Sequence, residues 1–138
     1  MTEENLCGFA KEYLDYLDCR DLDGWVNQFD HTARVYGLAL QTLDLNGAKE
    51  SMAALFDAFP DSRMSWDDII AEGDRVVIRH SFRGTQQKPF RNIAATGNPV
   101  VVPAIVTLQV KNGRVSSAWL NADFLSLLQQ LGAIPQLS

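Results

Sequence analysis

The dipeptide Asn112-Gly113 stands between two long runs, Val100 to Lys111 and Arg114 to Asn121. Asn-Gly takes positive φ at both positions of a tight two-residue turn, whose twist suits antiparallel strands, so it marks a β-hairpin. A second turn, Gly73-Asp74, separates Arg63–Glu72 from Arg75–Arg83. In the latter run Val76, Ile78, His80 and Phe82 face one way, and Val77, Arg79, Ser81 and Arg83 the other. Two hairpins in succession require a sheet that is largely antiparallel. Between them, Gly84 to Pro99 is polar and carries two Gly and two Pro. It is expected to be a long loop of the kind that covers a site.

The first half is helical. Thr2 precedes Glu3 and Glu4, and Leu6, Phe9, Ala10, Tyr13, Leu14 and Leu17 then recur at helical spacing. A short helix is expected over Leu22–Phe29 with Asp21 as cap, and Asp30-His31-Thr32 breaks it. Ala33 to Tyr36 reads as a short strand. Asn46 is expected to cap a third helix with Met52, Leu55, Phe56 and Phe59 on its buried side, ended by Pro60-Asp61. A last helix spans Phe124 to Leu131, with Gly132 behind it. The order α-α-β-α-β-β-β-β-α has neither repeat nor linker and predicts one α+β domain over residues 1–138. A curved antiparallel sheet wrapped around a long amphipathic helix leaves a cavity between them.

Composition excludes several classes. The net charge is −5, with 12 Lys and Arg in no cluster, which argues against nucleic acid as a partner. No apolar run reaches 18 residues, so no membrane span is expected, and the acidic start lacks the pattern of a signal peptide; a cytoplasmic location is the expectation. Cys7 and Cys19 would lie about 18 Å apart on one helix, too far for a disulfide. Nucleotide-binding glycine motifs, H-E-x-x-H and C-x-x-C are all missing, and the two histidines are far apart in sequence, so no metal site is expected.

The residues able to do chemistry are few. Trp119 and Asn121 share a strand face that Asp123 continues. If that face is concave, a carboxylate enters the cavity beside an aromatic wall, where partial loss of water makes a carboxylate a stronger base. The competing role for Asp123 is a helix N-cap, accepting from the N–H of Leu125 or Ser126. His80 stands on an apolar strand face with Ile78 and Phe82, as a proton carrier or as a satisfied core histidine. Thr107 and Gln109 share a face and could hydrogen-bond a carbonyl oxygen, or face solvent. Trp66, Tyr36 and Trp25 are expected in core or pocket wall, and His31 at the surface.

Several segments together resemble the SnoaL-like polyketide cyclase family. They are Phe59-Pro60-Asp61, the run Ile70 to Arg79, Phe82-Arg83-Gly84-Thr85, Thr96-Gly97, Val102-Pro103, Asn112 to Val115, and Trp119-x-x-x-Asp123 followed by Leu125, Leu128 and Gln130 to Ala133. The resemblance covers about residues 1 to 135. It implies the cystatin-like, nuclear transport factor 2-like cone fold, a homodimer, and cyclisation of a polyketide by intramolecular aldol chemistry without cofactor or metal. It places Asp123 as acid/base; His80, chosen from its own strand face, would be a polar helper together with Asn121 and Gln109. The hydrophobic, carbonyl-bearing substrate would then contact Trp119, Asn121, Gln109, Thr107, Trp66, Phe82 and Tyr36.

This chain departs from the pattern in three places. The run Val100–Lys111 lacks the helper histidine of anthracycline-type cyclases. Leu120 follows the Trp where many members carry an acid, and Ser116-Ser117-Ala118 stand in place of frequent acidic and histidine residues. A less polar pocket is expected. The alternative function is a non-catalytic small-molecule-binding or dimerisation domain with a vestigial pocket.

Overall fold

A computed structural model describes residues 1–135; the last three residues of the expected 1–138 domain lie outside the described residues. The elements are α1 (Glu3–Asp18), α2 (Leu22–Asn27), β1 (Phe29–Tyr36), α3 (Leu45–Ala58), β2 (Arg63–Glu72), β3 (Arg75–Thr85), β4 (Pro99–Lys111), β5 (Arg114–Ala122) and α4 (Phe124–Gln130). They form one five-stranded sheet in the order β1-β5-β4-β3-β2. The four strands from β2 to β5 are antiparallel, as the two turns require, whereas β1 joins β5 in parallel. The sheet is thus mixed at one edge, because β1 enters through α2 and not through a hairpin.

The amphipathic stripe of α1 buries Leu6, Ala10, Tyr13, Leu14 and Leu17 against the sheet. Each of the larger side chains contributes roughly 1.5–3 kcal/mol by leaving water. Tyr13, Trp25 and Phe29 pack edge-on or tilted, with ring centroids 5.0 to 5.9 Å apart. The end of α1 is tied to the start of β2 by Asp18. Its carboxylate accepts from Arg63 Nε at 3.0 Å, Arg63 Nη2 at 3.1 Å and the Met64 N–H at 2.8 Å. The Arg63 guanidinium holds the Asp18 carboxyl below its ordinary value.

Three boundaries differ from the sequence reading. Phe29 opens β1 and does not close α2, and β1 starts four residues before Ala33. The polar triplet that reads as a break is a bulge in the β1–β5 pairing. There Asp30 Oδ1 accepts from the Thr32 N–H at 2.9 Å and the Thr32 hydroxyl at 2.8 Å, so side chain replaces ladder. The cap of α3 is Asp44, accepting from the Gly47 N–H at 2.8 Å, and not Asn46, because the helix begins two residues earlier, at Leu45.

The 86–98 segment is tied down by a fully buried amide. Gln86 Oε1 accepts from the Thr96 N–H and hydroxyl at 3.1 and 2.8 Å, while its Nε2 donates to the Ile93 carbonyl at 3.1 Å. Phe90 is buried with Phe59 and Phe82 around it, so the segment is folded back over the sheet.

Candidate active-site cavity

Between α1, α3, α4 and the concave face of the sheet lies a largely apolar cavity, with about 90 Å³ open to the centres of water molecules. That is room for several waters or a small organic group. Its existence follows from strand register. His80 on β3 pairs with Ala104 on β4, which pairs with Ala122 on β5. Two inward rows further along, Leu108 pairs with Ala118. Ala104, Ala118 and Ala122 all line the cavity. Where bulky residues would fill the space under the helix, three methyl groups leave it open. Phe82 and Val102 form one end, and Tyr13 and Trp25 contribute from the helices.

His80 is the one histidine on the wall, and it is buried. Its Nδ1 lies 3.2 Å from the Ile78 carbonyl. A carbonyl only accepts, so this contact fixes the tautomer with the proton on Nδ1 and a bare lone pair on Nε2. Burial lowers the pKa of His80, opposed in part by the Ile78 carbonyl and by Asp67. The ring is therefore neutral at physiological pH, and its bare nitrogen can accept a proton. Tyr13 also lines the cavity; burial pushes its phenol above the ordinary value and keeps it protonated, against a smaller opposite pull from the Trp25 N–H. Among the described residues, the Trp25 Nε1 has no partner within hydrogen-bond geometry.

The other sequence candidates stand elsewhere. Asp123 is exposed and does not line the cavity; its Oδ1 accepts from the Ser126 N–H at 3.0 Å and caps α4. Trp119 and Asn121 share its outward face. The reason is one inserted residue. Gln109 pairs with Ser117 but Val110 pairs with Val115, so Ser116 is bulged out, its hydroxyl donating to the Gln109 carbonyl at 3.1 Å. A one-residue slip exchanges the faces of a strand. Val115 is buried before the bulge, and Ala118, Leu120 and Ala122 point inward after it.

Thr107 and Gln109 likewise lie on the outer face of β4, and Gln109 Nε2 donates to Asp74 at 3.1 Å. Tyr36, on the outer side of β1, stacks on Trp119 with centroids 5.7 Å apart and planes 10° from parallel. Trp66 sits on edge strand β2, 45% exposed, with Lys11 Nζ 5.1 Å from its ring centroid. Of the residues proposed for the site, then, His80 and Phe82 line the cavity, and the rest do not. The sequence reading missed Arg91, the three alanines and Tyr13. The alanines carry a usable signal, since they recur on the strand face shared with His80.

The mouth is closed by three segments. Gly37, with φ 87°, lies against β5, where a Cβ would collide with the Leu120 carbonyl, and Leu38 beside it lines the cavity. Phe124 and Leu127 come from α4, and Phe90 and Arg91 from the 86–98 segment. Among the described residues, no group of three or more His, Cys, Asp and Glu is placed to hold a metal, and no helix is long and apolar enough to cross a membrane. Cys7 and Cys19 are free.

The model of the SnoaL-like polyketide cyclase family matches residues 9–131. The chain belongs to this family. Several proteins of known structure share its fold. AclR, a proposed hydroxylase from Streptomyces galilaeus, superimposes with TM-score 0.91 at 23% identity over 99% of this chain and 87% of its own. A proposed SnoaL-like polyketide cyclase from a Jannaschia species gives 0.86 at 23% identity, over 96% and 95%. A protein of ketosteroid isomerase-like fold from Catenulispora acidiphila, in complex with trimethylamine, gives 0.75 at 14% identity, over 89% and 91%. At these identities the likeness is one of fold. No curated protein matches the sequence. The SnoaL-like membership supports a polyketide cyclase-type role, within which the cavity defines the finer reading.

Proposed function

We propose that this chain is a cyclase- or isomerase-type enzyme that needs only proton transfer, acting on a hydrophobic, carbonyl-bearing small molecule in the apolar cavity. The observation that carries the reading is His80. It is buried in that cavity, held in one tautomer by the Ile78 carbonyl, and has small side chains beside it. In an intramolecular aldol closure, Nε2 takes a proton from the carbon next to a carbonyl. The resulting enolate carbon attacks a second carbonyl of the same molecule, and the alkoxide so formed recovers the proton from the imidazolium. The Tyr13 hydroxyl is a neutral donor on the same wall, suited to a developing oxyanion. General acid–base help of this kind contributes roughly 10²–10⁴-fold. Holding the chain folded can contribute more, up to about 7–11 kcal/mol for well-aligned partners.

Asp123 enters this reading as the cap that holds α4 across the mouth. A homodimer belongs to the same reading, supported by family membership and by the apolar outer positions Val101 and Ile105, and light scattering tests it. The test of the chemistry is solvent deuterium exchange next to the ketone of a hydrophobic β-keto ester, followed by NMR against the uncatalysed rate. Exchange above background in the wild type that vanishes in His80→Gln supports the reading. Saturable binding without exchange moves the chain to a non-catalytic binding role, which the lack of any carboxylate on the cavity wall also favours.

A further inference from the structure

Arg91 is the one exposed residue, and the one permanently charged side chain, among those lining the cavity. No Asp or Glu lines it. Its guanidinium carries five N–H donors. Among the described residues, one of them finds a partner, through Nη2 to the Leu38 carbonyl. The group is wedged between two rings, 5.2 Å from the Phe90 centroid and 5.1 Å from that of Phe124. Its plane is therefore supported, while its remaining donors are free to meet a ligand.

The backbone beneath it is unusual. Phe90 and Ile93 exchange both N–H···O bonds, at 2.9 and 2.8 Å, across a two-residue turn. Arg91 and Asn92 occupy that turn with φ of 47° and 66°. Such a turn favours Asn and Gly, and an Arg held there stores local strain. Buried Gln86 bonds to Ile93 and Thr96 just behind the turn, so the strained arginine rests on a fixed base.

We infer that Arg91 is a specificity-determining residue that admits ligands with an apolar body and a carboxylate end, the carboxylate seated on the guanidinium at the mouth. The inference rests on the small-molecule reading of the cavity and narrows its ligand class. The apolar body would lie along Phe82, Val102 and the alanines, with its reactive carbonyl towards His80. A carboxylate matches the planar fork of a guanidinium by two parallel hydrogen bonds, which a neutral ester cannot reproduce. Ligand and arginine then close the mouth together, because the same side chain also holds residue 38.

The experiment is calorimetric titration at pH 8 with octanoate and with methyl octanoate. The acid is expected to bind about tenfold or more tightly than the ester, the size of one charge-assisted contact at a partly wet site. Arg91→Gln should bring the acid down to the level of the ester while ester affinity stays within about twofold. Arg91→Lys keeps the charge without the fork and should retain part of the preference. Thermal melts of both variants separate loss of recognition from loss of fold. Equal binding of acid and ester by the wild type, or an undiminished preference in a folded Arg91→Gln, overturns the inference while leaving the cavity reading intact. Failure of both ligands to bind overturns the cavity reading and this inference with it.

Discussion

Asp123 separates the geometry of this chain from the expectation its sequence raises, and two substitutions there distinguish a cap from an acid/base. Among the described residues the carboxylate makes one hydrogen bond, from the Ser126 N–H at 3.0 Å, at the start of a seven-residue helix. Asp123→Ala removes it. Loss of an N-cap costs about 1 kcal/mol, within a range of about 0.5–2. For a domain of this size that lowers the melting temperature by about 3 °C. Because Phe124 and Leu127 close the mouth from this helix, the Ala variant should also bind apolar ligands more weakly. Asp123→Asn keeps a cap of equal strength but removes the charge. It should melt within about 1 °C of the wild type, since Asn and Asp rank together as caps. In the deuterium-exchange assay it should retain wild-type rates, whereas His80→Gln loses them. The refuting result is an Asp123→Asn protein that melts normally yet exchanges 10²–10⁴-fold more slowly, about the full worth of a general base. In that case α4 releases the carboxylate during turnover, and His80 is not the base.

Two further predictions follow from buried polar groups. Burial lowers the folded pKa of His80, so the unfolded chain takes up the proton first as pH falls. Its contribution is neutral above about 6.5, the unfolded value, and stability is lost as pH drops from there through the folded pKa. Denaturant titrations of the wild type and His80→Gln between about pH 5 and 8 should diverge only at the acidic end, and kcat/KM should decline over that same end; a profile centred above about 6.5 would contradict the buried neutral ring. Gln86→Ala leaves the Thr96 N–H and the Ile93 carbonyl without their buried partner, which costs about 2–3 kcal/mol. Urea unfolding measures that loss, limited proteolysis should cut within residues 86–98, and a change below about 0.5 kcal/mol would show that the amide is not what holds the segment.

The fold was legible because its signals are local and redundant. Asn112-Gly113 and Gly73-Asp74 each force a hairpin, and the α1 stripe buries the side that its spacing predicts. The site was legible only in part, and the break lies at Ser116. Period-two reasoning carried forward from Val115 puts Trp119, Asn121 and Asp123 on the inner face; one bulged residue reverses that assignment for the rest of β5. On β3, where no bulge intervenes before His80, the same reasoning places His80 and Phe82 correctly on the inner face. A bulge is selected by pairing with a partner strand, so the local pattern of a single strand carries almost no trace of it. What does leave a trace is the space it protects. Ala118 and Ala122 after the bulge, with Ala104 opposite, are small for the interior of a sheet whose other inward residues on β3 and β4 are, His80 apart, Val, Ile, Leu and Phe. Small residues on a strand face that also carries the one buried histidine locate this cavity better than the aromatic and carboxylate residues that first draw the eye.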